Sequence, residues 1–252
     1  MSLVNAVALV TGGSGGLGST ICRLLAAEGV DVAVGYLSGD ERAQTVTGEV
    51  EAAGRRAIAV HIDQSDPASI EAAIRQVTAA FGGLDILINN AAMAMGGHGI
   101  EPGDLEAFTP EIWDQMMAVN VRGPFLLARA ATPWLRASQW GRIVNIGSTL
   151  GQGEWYADRA FMPSKAAVVP LTRFLAACLA PEVSVNCVAP GLMATTGLGS
   201  GGPKHLYDAW EARAQLAMTT SIDDVAGQVL LLCKATSMTG QTIVIDGGIH
   251  FH

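Results

Sequence analysis

The chain is 252 residues long, 50% hydrophobic and 15% charged, enough apolar material for one large α/β core. Its net charge of -8 at pH 7 repels polyphosphate, and no apolar run is long enough to span a bilayer. The four cysteines, Cys22, Cys178, Cys187 and Cys233, lie far apart without a CxxC pair, which points to reduced, buried thiols. The N-terminus enters the first strand directly, leaving no room for a signal peptide. A cytoplasmic protein with a small-molecule partner is expected, with no nucleic acid, membrane or metal.

Val7 to Val10 form a short apolar run of the kind that makes a buried parallel strand, and Leu17, Ile21, Leu24 and Leu25 follow at helical spacing. Between them lies Thr-Gly-Gly-Ser-Gly-Gly-Leu-Gly, residues 11–18, a strand-to-helix turn. Glycine there allows positive φ, the approach of a pyrophosphate to backbone N–H groups, and close packing of helix on strand. The helix start adds aligned dipoles and unpaired donors that favour an anion. The turn therefore reads as a dinucleotide site, with Gly12, Ser14, Gly16, Leu17 and Gly18 around the cofactor.

Strands and helices then alternate: a strand at 30–36, a helix at 43–53, a strand at 56–63, and a helix at 67–81 with Asp66 as its N-cap. A strand at 84–89 precedes a long helix, 109–136, capped by Thr109 with Pro110 at its first position. A strand at 141–146, a helix at 161–179, a strand at 183–188, a helix at 222–233 and a strand at 242–245 complete the series. Right-handed crossovers give a single doubly wound (Rossmann) parallel sheet of about seven strands with helices on both faces and ligands at the strands' carboxyl ends. One domain spans 1–252, with substrate loops around 93–103 and 191–215. The Gly-rich pieces at 96–103 and 197–202 read as mobile surface loops.

These residues resemble the classical short-chain dehydrogenases/reductases along nearly the whole chain. Thr11, Gly12, Gly16 and Gly18 are similar to that family's TGxxxGxG turn, Asp63 to the residue that holds the adenine, and Asn89-Asn90-Ala91-Ala92 to its NNAG motif with alanine in place of the glycine. Asn120 resembles the family's helix asparagine, Ser148 its catalytic serine, and Lys165 the lysine of YxxxK. Pro190-Gly191 with Thr195 resembles the PGxxxT segment that contacts the nicotinamide amide, and Asp246-Gly247-Gly248 the terminal DGG. The resemblance implies hydride transfer between nicotinamide and a carbonyl or alcohol. It also implies a tyrosine that protonates the oxygen, a serine that holds it, and a lysine that lowers the phenol pKa and binds the nicotinamide ribose.

The tyrosine of YxxxK is absent: the position four before Lys165 is Phe161. A phenol with pKa near 10 must be brought toward neutrality by roughly three units, and Lys165 one helical turn away is placed to do that. Phenylalanine offers nothing to tune. Lys165 can still hold a ribose diol, Ser148 a substrate oxygen or nitrogen, and Asn120 can still bend its helix backbone toward a water chain. Tyr156, Asp158 or Glu154 in the preceding loop are alternative proton donors. Trp155, Tyr156 and Met193 are expected to contact substrate together with Ser148.

The second strand ends with Tyr36 where an NAD user would place an acid. NADP is therefore favoured, with Ser38 and Arg42 as phosphate partners. NAD stays open because Gly15 replaces the usual arginine of the turn, Leu37 replaces a common basic residue, and Asp40 and Glu41 lie nearby. Three functions remain open. The first is an NADP-linked carbonyl reductase or alcohol dehydrogenase of an apolar, moderately sized substrate, with Phe161 either natural or an engineered replacement that inactivates the site. The second is a reductase of C=N or C=C bonds using another proton donor; the third is a non-catalytic dinucleotide-binding protein. The helices at 109–136 and 161–179 carry Leu126, Leu127, Trp134, Phe174 and Leu175 on more faces than one core covers. The resemblance implies a homotetramer of dihedral symmetry.

Overall fold

The computed structural model describes residues 1–94, 105–152, 161–194 and 204–251. Its strands are β1 (Val7–Val10), β2 (Asp31–Tyr36), β3 (Ala57–His61), β4 (Ile86–Asn89), β5 (Arg142–Ile146), β6 (Ser184–Pro190) and β7 (Thr242–Ile245). Among the described residues they form one parallel sheet in the order β3-β2-β1-β4-β5-β6-β7. The helices are α1 (Gly16–Ala27), α2 (Asp40–Ala52), α3 (Pro67–Phe81), α4 (Pro110–Met117), α5 (Gly123–Ala137), α6 (Phe161–Leu179), α7 (Lys204–Arg213) and α8 (Ile222–Lys234).

Alternation along the strands builds two cores. Ala8 and Val10 of β1 face α1, α2 and α8, packing with Ile21, Leu25, Val46 and Val229. Val7 and Leu9 face α3, α5 and α6, packing with Ile74, Leu127, Leu135 and Leu179. Each fully buried Leu or Ile contributes about 1.5–3 kcal/mol, so both faces must be covered. β2 and β3 extend the sheet on one side of β1 and β4 opens the other, so the direction in which strands are added reverses between β1 and β4 and a crevice forms at their carboxyl ends.

The caps follow local chemistry. Asp66 accepts from the Ala68 N–H, with Pro67 behind it, and Thr109 accepts from the Ile112 N–H. α2 starts at Asp40, three residues before the expected 43, because Gly39 at φ 81 turns the chain and Asp40 and Glu41 suit the positive helix end. β6 continues past the expected 188 to Pro190, which pairs with Ile245.

Four expectations are corrected. The helix expected at 109–136 is interrupted by a π-helical turn, Ala118–Arg122. Pro124 has no N–H to give, so a regular α-helix would orphan the Asn120 carbonyl. In the π turn the Gly123 N–H reaches back to the Ala118 carbonyl, the orphan becomes Val119, and the Gln64 side chain donates to it at 3.1 Å. Part of the expected loop at 191–215 is helical, as α7, and buries Trp210. Cys178 is exposed on the outer side of α6, whereas the other three thiols are buried as expected. Of the surplus apolar residues, Leu127 and Leu175 belong to the core, while Trp134 and Phe174 are 40% and 54% exposed. Among the described residues no helix is long and apolar enough to cross a membrane.

Candidate functional site

The glycine turn sits at the carboxyl end of β1. Gly12 has φ 62, and a Cβ on Gly18 would overlap the Gly12 carbonyl oxygen, so both positions require glycine. Gly15 precedes α1 in extended conformation without a side-chain cap, which leaves the first N–H groups of α1 for an anion. Gly16 is exposed at that helix start, Ser14 is half-buried beside it, and Leu17 is buried beneath. Thr11 braces the turn: its Oγ1 accepts from the Asn90 and Ala91 N–H groups, both at 3.0 Å. The Asn90 amide donates to the Thr11 and Gly12 carbonyls at 2.8 and 3.2 Å. Thus the segment after β4 is bolted to the glycine turn across the crevice. These features fit a dinucleotide: uncapped helix donors for its pyrophosphate, and a backbone cradle that side chains would fill.

The carboxyl ends of β2 and β3 lie side by side. Tyr36 is edge-on to His61 with ring centroids 5.7 Å apart, and its hydroxyl donates to the Asp40 carboxylate, which raises the phenol pKa. Asp40 is thereby occupied by a neutral donor. Ser38 and Arg42 are exposed beside it, and the Arg42 guanidinium folds over the Gly39 backbone. Asp63, just past β3, accepts from both the Ser65 N–H and Ser65 hydroxyl, at 2.8 and 2.7 Å, so its carboxylate is held rigid.

The carboxyl ends of β5 and β6 carry the other half. Ser148, 9% exposed, follows β5, and its Oγ accepts from the Leu150 N–H to start a short 3-10 turn, Thr149–Gln152. That turn lies on the first part of α6, so closely that a Cβ on Gly151 would stand 2.5 Å from the Ala166 nitrogen. Lys165 is 4% exposed and donates to the Ile146 carbonyl at 2.7 Å. Burial pulls its pKa down to about 8, a shift that the neighbouring Cys187 opposes. The Phe161 ring centroid is 5.5 Å from the Lys165 ammonium. Pro190 accepts from the Thr149 hydroxyl at 3.4 Å, and the Gly191 N–H donates to Ile245. Met193 is half-buried against the core face that carries α1 and α8.

Asn120, in the π turn, ties these pieces together through its side chain. Its amide donates to the Met93 carbonyl and to the Ser164 hydroxyl, each at 2.9 Å, and its oxygen accepts from the Met93 N–H at 2.8 Å. Ser164 in turn donates to the Phe161 carbonyl at 2.7 Å, fixing the first turn of α6. Of the expected site residues, Thr195, Trp155 and Tyr156 lie outside the described residues, as do Glu154 and Asp158 and the Gly-rich stretches at 96–103 and 197–202.

Sequence reasoning missed Gln64 and Ser164. Gln64 donates to the Ala91 and Val119 carbonyls at 3.3 and 3.1 Å, joining the glycine-turn brace to the π turn. Pro124, placed four residues after Asn120, was the available signal. Trp210 was also missed: it is 5% exposed, and its indole nitrogen has no hydrogen-bond partner among the described residues.

A crevice between β1 and β4, flanked by a glycine turn and by serine and lysine at the ends of β5 and in α6, defines a nucleotide-dependent oxidoreductase site. The chain belongs to the short-chain dehydrogenase/reductase family. A family model described as enoyl-(acyl carrier protein) reductase matches residues 12–250. The 3-oxoacyl-[acyl-carrier-protein] reductase FabG of Staphylococcus aureus is 32% identical over 246 residues, covering 96% of this chain and 97% of that protein. A short chain dehydrogenase from Burkholderia cenocepacia J2315, solved in complex with NADP, is 38% identical with a TM-score of 0.90 over 99% of both chains. A blue fluorescent protein from a metagenomic library, solved in complex with NADPH, is 33% identical with a TM-score of 0.91 over 100% of both chains.

Proposed function

We propose that this protein is an NADP(H)-dependent carbonyl reductase, or alcohol dehydrogenase in reverse, acting on an apolar substrate of moderate size. The observation that carries this reading is the buried Lys165 ammonium, held by Ile146 beside the turn that Ser148 begins. A cation costs several kcal/mol to bury, and a ribose diol together with an oxygen gaining negative charge would offset that cost. When bound, the cofactor supplies or accepts a hydride. The chain's own share is assigned as follows: Ser148 Oγ donates to the substrate oxygen, Lys165 holds the ribose and the developing charge, and Asn120 with Ser164 keeps the first turn of α6 in register. The complexes of the Burkholderia and metagenomic relatives with NADP and NADPH support the cofactor choice, with Ser38 and Arg42 assigned to the 2'-phosphate.

The domain is taken to span the whole chain, and the assembly to be a homotetramer in which Trp134 and Phe174 are covered. Light scattering at micromolar concentration tests the latter: a species near 26 kDa would refute it. The function is tested by mixing the protein with NADPH and a panel of ketones, aldehydes and imines and following nicotinamide absorbance. Oxidation with ketones or aldehydes is expected. Oxidation with imines alone would favour a C=N reductase. Binding without turnover would favour a dinucleotide-binding protein, the reading that Phe161 supports.

A further inference from the structure

We propose that Lys165 is itself the general acid of this site, its ammonium giving a proton, across at most one water, to the carbonyl oxygen that Ser148 holds. The inference rests on the carbonyl-reductase reading above. Reduction of a carbonyl needs a hydride at carbon, supplied by the reduced nicotinamide, and a proton at oxygen. In the proton step one N–H bond of Lys165 breaks, its electron pair stays on Nζ, and an O–H bond forms on the substrate. The ammonium becomes a neutral amine and is reprotonated from solvent before the next turnover.

Geometry selects Lys165. Its ammonium carries three N–H groups, of which the Ile146 carbonyl takes one, and among the described residues no carboxylate forms an ion pair with it. Among the described residues the groups that face it are uncharged. Phe161 on its own helix offers a ring, Ile146 on β5 a carbonyl, and Cys187 on β6 a thiol that burial pushes up to about 11. The Asn120 side chain in the π turn is fully engaged with Met93 and Ser164. Phe161 therefore presents no hydroxyl to compete, and among the described residues no carboxylate fixes the proton on Nζ. A pKa of about 8 also matches a working acid better than an untuned phenol near 10.

The test uses NADPH with ethyl 4-chloroacetoacetate, an activated β-keto ester, over pH 6–10. Turnover of the parent should be flat at low pH and fall about tenfold per pH unit above a limb near 8, as the ammonium is lost. Nitrogen NMR of lysine-labelled protein with NADP bound should show one resonance, absent from Lys165→Arg, titrating at that same limb. Lys165→Arg keeps a cation for the ribose but has no proton to lend below pH 12, so NADPH affinity should survive within several-fold while turnover falls about a hundredfold or more. Lys165→Ala should regain turnover on addition of ethylammonium.

A parent profile with no limb, a limb retained in Lys165→Arg, or a resonance titrating elsewhere would overturn the proposal. So would loss of turnover in Tyr156→Phe or Asp158→Asn with Lys165→Arg still active. The two levels separate through Phe161→Tyr, which brings its own hydroxyl. If that variant reduces the ester and the parent does not, the lysine proposal falls and the carbonyl reading stands. If neither reduces any ketone while NADPH binds, both fall.

Discussion

The Lys165 ammonium stands 5.5 Å from the centre of the Phe161 ring, one helical turn away on the same face of α6. A cation at that distance from an aromatic face is attracted by the ring quadrupole, and the ring gives it no proton acceptor. The pair has the four-residue spacing that the YxxxK resemblance gives to a phenol and its tuning lysine, with a ring that carries no hydroxyl. What remains is a buried base whose charge is weakly supported by the protein alone.

Phe161→Tyr should raise carbonyl reduction. The two side chains share a ring, and Phe161 is half-buried at the start of α6, so a hydroxyl can be added with little repacking. Because Lys165 already offers a proton, the added phenol is a second donor, so the gain should fall short of the about hundred- to ten-thousand-fold of full general acid catalysis and should appear in kcat more than in KM. Steady-state rates within a few-fold of the parent, on a substrate that the parent binds, would count against a standard site awaiting its phenol.

NADPH should stabilise the protein by about 2.7 kcal/mol at a hundred times its Kd, read as a rise in Tm. Gly16→Val should abolish that rise while leaving the unliganded Tm nearly unchanged, because Gly16 is exposed at the start of α1 and supports no core contact. Gly18→Ala should behave differently. Its Cβ meets the Gly12 carbonyl, so the turn itself must shift and the unliganded protein should melt earlier.

Gln64→Leu should lower stability by about 1–3 kcal/mol for each carbonyl left unpaired, those of Ala91 and Val119. The second is unpaired because Pro124 cannot donate, so combining Gln64→Leu with Pro124→Ala should recover part of the loss. A double variant no more stable than Gln64→Leu in urea denaturation would show that the π turn does not depend on this bond.

Lys165→Met should stabilise the unliganded protein near neutral pH. The folded-state pKa of Lys165 is lowered from 10.5 to about 8, chiefly by desolvation, so below 8 the folded state bears a charge that it accommodates poorly. The full shift corresponds to about 3 kcal/mol, offset in part by loss of the bond to Ile146. The parent's own stability should rise with pH between about 8 and 10.5, where the unfolded lysine still binds a proton that the folded one has released. The advantage of the methionine variant should shrink across that window. Denaturant titrations at pH 7, 9 and 10.5 check the sign.

The sequence by itself determined the alternation of strand and helix, the glycine turn, the caps at Asp66 and Thr109, and the spacing of Phe161 to Lys165. All of these are local: side-chain period, φ restrictions and helix-end donors act within a few residues. It also carried the resemblance that assigned Ser148 and Asn120 to one site. Only the tertiary structure decided how the helix at 109–136 breaks, because Pro124 says that a carbonyl is orphaned but not that Gln64, brought from the end of β3, will satisfy it. Likewise the Asn120 side chain finds Met93 and Ser164, and the Lys165 ammonium finds Ile146, across chain separations of 27, 44 and 19 residues. Such partners are chosen by packing of distant elements against one sheet, and it is their burial, not their identity, that lowers the lysine pKa.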